Sequence, residues 1–459
     1  MTKRFFPVAF LMLTALGFAG CSNEEEDLFD HSAAERLNAI SSDYTQRLAA
    51  SKGGWVMEYY PYNNEENFVT GRGYLIMNRF HDNGAVYTLM KNSLTGNSIM
   101  EDSTAFEVIT DMGPVLTYNT YNKNFGLFTD PTDIPGTDSD ESGKGFQGDY
   151  EFVMVDVPED GQHIMLKGKK RGVYQRMTRI PEGTDFETYL DDVEAFRSAI
   201  FPVHTPTDLL LVDHGERYTM AQQFSPRATI YPEGRDSTAY GWYNFFLVTK
   251  YNDQYRIRFK DTTMVDGVQM EQEFAYHPAE DVFKGVVNDD NVIRSPYDNA
   301  MQFFQEKFDA RNPFKVFRNL SSSELSDKMR TYLNAASDGM TSRNKKYKID
   351  SLVFFRDEGD NAAIWQFKYQ SGKSAQDIVY KYTFQTEGNS IAFSFVEAAT
   401  TDAHNIISGS KPVPAITELI TSVLSRKFII EKYTTLFDIR RLKFTAEDDP
   451  DLWFVVYFN

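Results

Sequence analysis

Apolar residues alternate with polar ones along most of this chain, and in a few short stretches they recur with a helical period. Ser32 and Glu35 stand three apart as a capping box. Leu37, Ile40, Tyr44 and Leu48 then share one face of the predicted helix, which Gly53-Gly54 ends. Residues 55–60 read as a strand before Pro61. The runs 74–80 and 85–90 flank His81-Asp82-Asn83-Gly84, whose Asn-Gly pair favours the positive φ of a hairpin turn. Strand-like runs continue at 106–110, 115–121, 150–157 and 163–167. Short strands at even intervals with polar turns predict a sandwich or a barrel.

A second helix is predicted from Thr184 and Glu187, with Phe186, Tyr189, Leu190, Val193 and Phe196 inward and Pro202 beyond its end. The Pro- and Asp-containing passage 204–213 marks the expected subdomain boundary. Beyond it, Tyr255, Ile257 and Phe259 alternate with Arg256, Arg258 and Lys260, the pattern of a sheet with one face in water. Helices are expected from Ser295-Pro296, over 322–336 and over 415–426. Strands are expected at 351–355, 362–369, 378–386 and 390–396. The run 452–458 is apolar on both faces and reads as a buried closing strand. The fold class expected is mainly β (α+β): two antiparallel sandwich- or barrel-like β subdomains with a few packed helices. The expected divisions are 1–20 signal peptide, 21–31 acidic tether, 32–205 N-terminal β-rich domain and 206–459 C-terminal α+β domain.

The amino terminus changes the picture from fold to location. Lys3 and Arg4 precede an apolar run from Phe5 to Phe18 and then Ala19-Gly20-Cys21, the layout of a secretory signal. Cys21 is the sole cysteine of 459 residues and sits at the cleavage junction, which predicts lipidation of its sulfur. No disulfide is then available to the mature fold. Cleavage removes Lys3 and Arg4 and no acid, so the formal net charge falls from −19 to −21. A chain this acidic is a poor ligand for nucleic acid or for an anionic membrane surface. The content of 37 Phe and 26 Tyr is ample for a core and leans toward strands.

The stretch Gly113-Pro114-Val115-Leu116-Thr117-Tyr118-Asn119-Thr120-Tyr121-Asn122, with Asp130-Pro131 after it, resembles the central signature of a Bacteroidetes lipoprotein family. That family is catalogued as domain of unknown function 4302. Trp55-Val56-Met57-Glu58-Tyr59-Tyr60-Pro61 resembles its early motif. Gly148-Asp149-Tyr150-Glu151-Phe152 and Leu166-Lys167-Gly168-Lys169-Lys170-Arg171 resemble its later ones. Where the family carries a Leu-His pair before the Asp-Pro turn, this chain has Phe125-Gly126-Leu127-Phe128. The resemblance implies a setting beside outer-membrane nutrient importers, a TonB-dependent receptor with its substrate-binding lipoprotein. In that setting the acidic run Glu24-Glu25-Glu26-Asp27 after the lipidated cysteine resembles a signal for display on the cell surface. The resemblance carries over no catalytic residues.

The candidate chemistry is sparse. Asp138, Asp140, Ser142, Gly143 and Asp149 fit positions 1, 3, 5, 6 and 12 of a calcium loop. Gly145 stands where a hydrophobic residue pins such loops, and Pro131 and Pro135 forbid an entering helix, so a flexible acidic loop without calcium is the expectation. His204, Asp208, Asp213 and His214 lack the helical register of a zinc site and read as loop residues. Neither a nucleophile elbow nor a phosphate loop occurs. Paired carboxylates for glycosidic cleavage stay open, because they need not be close in sequence. Trp55-Tyr59-Tyr60-Tyr62 and Tyr240-Trp242-Tyr243 could stack on sugar rings or grip a peptide, or belong to cores; Tyr60, Tyr62 and Trp242 are the candidate ligand contacts. The function expected is that of a non-enzymatic ligand-binding or scaffolding accessory of an importer. It would be lipid-anchored in the outer membrane facing the cell surface, with a glycan or peptide ligand and no cofactor. A hydrolase and a structural adhesin are the alternatives.

Overall fold

The computed structural model describes residues 32–62, 71–111, 113–132, 143–201, 207–223, 226–241, 243–316, 324–358, 362–371, 374–438 and 440–458. Helix α1 (Ala33–Ala50) begins at the capping box that the sequence predicts. The Ser32 hydroxyl accepts from the Glu35 N–H at 3.2 Å, and the Glu35 carboxylate accepts from the Ser32 N–H at 2.9 Å. Five strands follow: β1 (Trp55–Tyr59), β2 (Tyr74–Phe80), β3 (Ala85–Met90), β4 (Met100–Thr110) and β5 (Pro114–Tyr118). After helix α2 (Lys123–Thr129) come β6 (Glu151–Asp156), β7 (His163–Gly168) and β8 (Tyr174–Arg179). Each strand pairs antiparallel with its sequence neighbour, and β8 returns to pair with β1, Arg176 opposite Glu58, so that the sheet closes into a barrel. In the β2–β3 turn Gly84 alone takes a positive φ (79°), while the Asn83 side chain accepts from the Ala85 N–H at 3.1 Å.

An eight-stranded barrel has an interior just wide enough for side chains, and this one is full. Trp55, Met57 and Tyr59 of β1 all point into the core, as their alternation predicts. Phe125 and Phe128 of α2 enter one mouth, packing on Tyr118 (4.1 Å between ring centres) and Tyr59 (4.9 Å). Leu48 of α1 closes the other end beside Trp55, whose indole N–H donates to the Leu48 carbonyl at 3.0 Å. Helix α3 (Phe186–Ile200) then leads out of the barrel. Its N-cap is Asp185, which accepts from the Thr188 N–H at 2.9 Å. Thr184, the cap expected from the sequence, donates instead to the Pro181 carbonyl at 2.8 Å.

Strands between Thr207 and Arg294 close a second eight-stranded barrel, and strands from Phe314 to Phe458 close a third. The mainly β architecture of barrel units with packed helices is the one the sequence predicts. The second half holds two barrels instead of one, because closure depends on pairing between distant strands, which a period of two cannot encode. The strand Asp449–Phe458 does close its barrel, with Phe458 opposite Phe314. The helix expected from Ser295-Pro296 begins four residues later, at Ala300, capped by Asn299; the one expected from 322 begins after Ser326. Among the described residues no helix is long and apolar enough to cross a membrane.

The barrels are fastened to one another. Val56, Met77 and Leu89 on the outside of the first barrel join α3 and the core of the second in one apolar cluster. Phe437, from a loop of the third barrel, is fully buried in that same cluster, 5.6 Å from the ring of Phe283. Beside it the buried Asp281 carboxylate accepts from the Tyr276 hydroxyl at 2.7 Å and from the Leu436 N–H at 2.5 Å, and pairs with Lys432 at 3.1 Å.

Candidate functional site

The polar face of the strand Gln254–Phe259 corrects the expectation drawn from its alternation. Arg258 is not in water. It donates at 2.8 Å to Glu58 of β1, which is only 1% exposed. Arg256 and Arg176 of β8 both pair with Glu273, at 3.0 and 2.5 Å. Burial pushes the Glu273 carboxyl up, but the two guanidiniums outweigh it and hold the group below the usual glutamate range. His163 lies against Arg176 at 2.9 Å, and burial together with that cation lowers its pKa to about 4. These groups form a charged seam between the first and second barrels. A buried carboxylate matched by a cation at each position is a fastening, and among the described residues Glu58 and Glu273 are both paired and so not presented free to a substrate.

Tyr60, a candidate ligand contact, belongs to this seam. It is 2% exposed, its backbone N–H and C=O are held by the Gln175 amide at 2.6 and 2.7 Å, and Lys260 lies 5.6 Å from its ring centre. That burial removes its ring from any ligand. Tyr62 is half-buried. Cys21, the tether, Trp242, His204, Asp138, Asp140 and Ser142 lie outside the described residues. Asp213 is fully buried, accepts from the Glu271 N–H at 2.7 Å and contacts His214 at 2.5 Å. Among the described residues no three His, Asp or Glu side chains converge as metal ligands.

With the interior of the first barrel filled by its own side chains and the seam closed, the described residues of that barrel offer a ligand their outer surface. Strands β1, β3, β5 and β7 all end at the mouth plugged by α2, where β2, β4, β6 and β8 begin. Three tyrosines stand open at this rim: Tyr121 (66% exposed), Tyr150 (50%) and Tyr174 (52%). Tyr62 leaves β1 at the same end. The Tyr121 hydroxyl donates to Asp130 at 2.8 Å, while its ring lies over Gly126.

Asp149 builds the rim. Its carboxylate accepts from the N–H groups of Lys170 (3.0 Å) and Arg171 (2.9 Å), which pins the turn between β7 and β8. Its own backbone is clamped by Tyr59, whose hydroxyl donates to the Asp149 carbonyl (2.9 Å) and accepts from the Asp149 N–H (3.0 Å). Burial pushes the Asp149 carboxyl up, against the pull of those two N–H groups. Gly168 is required here, since a β-carbon would stand 2.2 Å from the Asp149 carboxylate; one on Gly148 would stand as close to the Tyr59 hydroxyl. The calcium-loop position of Asp149 thus has a structural job in the described fold. Lys169 is neutralised by Asp111 (2.9 Å) and Glu151 (3.3 Å). The heads of Lys170 and Arg171 are exposed and make no ion pair among the described residues. Sequence reasoning missed Tyr150 and Tyr174. The signal available was the basic turn 169–171 in an otherwise acidic chain, with Tyr174 three residues after it; nothing local marked Tyr150.

No curated protein matches the chain. Among solved structures, the chain aligns with a transferrin binding protein B variant from Haemophilus parasuis Hp5 at 8% identity, over 88% of this chain and 74% of that one, with a TM-score of 0.14. It also aligns with transferrin binding protein B from serogroup B Neisseria meningitidis at 8% identity, over 88% and 75%, with a TM-score of 0.13. Superpositions this poor carry no argument about the present chain. A family model matches residues 25–277, which span the first barrel and all but the last two strands of the second. The chain belongs to the family described as domain of unknown function (DUF4302).

Proposed function

We propose that this protein is a non-enzymatic binding lipoprotein, anchored through Cys21, that serves as an accessory of an outer-membrane nutrient-uptake system. The observation that carries the reading is the rim of the first barrel. It sets three open tyrosine rings around a turn fixed by Asp149, on a barrel whose interior is already full of its own side chains. Open tyrosine rings on a rigid backbone bind at low ordering cost, since each has two χ angles to fix, which favours recognition over chemistry. The seam offers little to a hydrolase, since Glu58 and Glu273 are each matched by arginine. The basic n-region, the apolar run and the position of the sole cysteine support the anchor, and the acidic residues after it support display on the cell surface.

The reading is tested by titrating the purified protein against an array of oligosaccharides and peptides. Binding that weakens on Tyr150→Ala and Tyr174→Ala, with no product released, supports it. Turnover that survives repurification and disappears on replacing one acid overturns it.

A further inference from the structure

We infer that the rim of the first barrel binds an acidic glycan, with Tyr150 and Tyr174 stacking on sugar rings and Lys170 and Arg171 receiving their carboxylates. The inference rests on the binding reading above and names the ligand class for that same rim.

Topology supplies the juxtaposition. Strand β7 lies between β6 and β8, so its exit turn 169–172 separates Tyr150, at the start of β6, from Tyr174, at the start of β8. The two tyrosines are therefore two strand spacings, about 9.5 Å, apart across the sheet. Because Tyr174 stands across from Lys167 and Lys167 across from Val153, Tyr150 is offset by a further three residues, about 10 Å, along the strands. The two cations lie between them. That separation suits two non-adjacent units of an oligosaccharide, with the cations facing the units between them. A pyranose offers a flat C–H face that stacks on an open ring without needing a pocket. An extended peptide would bind most readily by adding a strand to a sheet edge, and a closed barrel has none.

The charge follows from which cations are already engaged. Lys169 is matched by Asp111 and Glu151, and the Asp149 carboxylate faces the backbone N–H groups of the turn. Lys167 stands across from Tyr174 on the neighbouring strand, its ammonium 5.3 Å from that ring's centre, so it extends the basic surface toward the stacking face. Arg171 offers a planar fork that matches a carboxylate on two hydrogen bonds. The chain's overall negative charge does not prevent this. At physiological salt the Debye length is about 8 Å, so the local turn outweighs acids on the far barrels. Because Asp149 holds the backbone of residues 170 and 171, the cations are carried on a fixed loop, and their side chains can be replaced without touching a core contact.

The experiment is calorimetric titration of the full mature chain with galacturonate and glucuronate oligosaccharides and with their carboxyl-reduced neutral counterparts, at low and high salt. The expected result is binding of at least one acidic series, about tenfold weaker for its neutral counterpart. Lys170→Gln/Arg171→Gln should abolish that preference and its salt dependence. Tyr150→Ala and Tyr174→Ala should each weaken both series by about tenfold. Unchanged melting of all three variants shows that the fold is intact. Equal binding of acidic and neutral sugars, or a peptide competing at the tyrosines, overturns the acidic-glycan inference and leaves the binding reading standing. Binding of sugars that is indifferent to all four substitutions overturns the rim itself as the site.

Discussion

The Glu58–Arg258 pair gives a direct test of how the first two barrels are joined. The two groups meet at 2.8 Å with side chains 2% and 12% exposed. At an effective dielectric constant of 20, the attraction of unit charges at this distance is about 6 kcal/mol. Desolvation of both ions opposes it by a similar amount, so the pair as a whole contributes little net stability. Removing one member is another matter, because the carboxylate of Glu58 stays buried with no cation against it. Arg258→Met should therefore cost about 3–5 kcal/mol, whereas Glu58→Leu/Arg258→Met should cost about 1 kcal/mol or less. Three barrels need not unfold together, so one melting temperature is a poor measure. Hydrogen exchange of the segments 55–59 and 254–259 reads the seam locally, with Glu58→Leu completing the double-mutant cycle. A coupling energy above about 2 kcal/mol is expected. If Arg258→Met leaves exchange unchanged in both segments, the strand faces water as its alternation suggests, and the seam is not what fastens the barrels.

Further expectations follow from the same contacts. Asp149→Ala should unpin the turn 169–172 and cost about 1–3 kcal/mol, since the N–H groups of Lys170 and Arg171 lose their carboxylate acceptor together; local exchange at that turn, unaltered, would contradict this. His163 has a folded pKa depressed to about 4, so on acidification from pH 6.5 toward 4 the unfolded chain gains a proton that the folded seam refuses. Stability should fall across that window by about 1–2 kcal/mol after allowance for partial exposure, and His163→Gln should flatten the decline. Phe437→Ala empties a fully buried site in the second barrel's cluster and should cost about 3–5 kcal/mol, read by denaturant unfolding. Cys21→Ser should release the protein from the membrane fraction; retention of the variant at mature size would refute lipid anchoring.

What the sequence determined by itself is local. The Ser32–Glu35 capping box, the inward face of Trp55, Met57 and Tyr59, the turn at Gly84 and the closing role of residues 452–458 were all legible. In each case the deciding interactions lie within a few residues or in the alternation of one strand. The Asp149 motif was visible as a sequence pattern, yet its use was not. The N–H groups it serves are more than twenty residues away, and Tyr59, which clamps it, is ninety. Tertiary structure alone decided the number of barrels, since closure is set by pairs such as Glu58 opposite Arg176. It also decided the fate of the polar residues. Arg256 and Arg258 read as a wet face, and Tyr60 as a candidate for ligand contact, but the second barrel docks against the first, buries Tyr60 and draws both arginines largely out of water onto buried carboxylates. A polar residue in a strand pattern states only that it needs partners. Whether water or a neighbouring barrel provides them depends on which surfaces meet, and one strand's alternation carries no information about that.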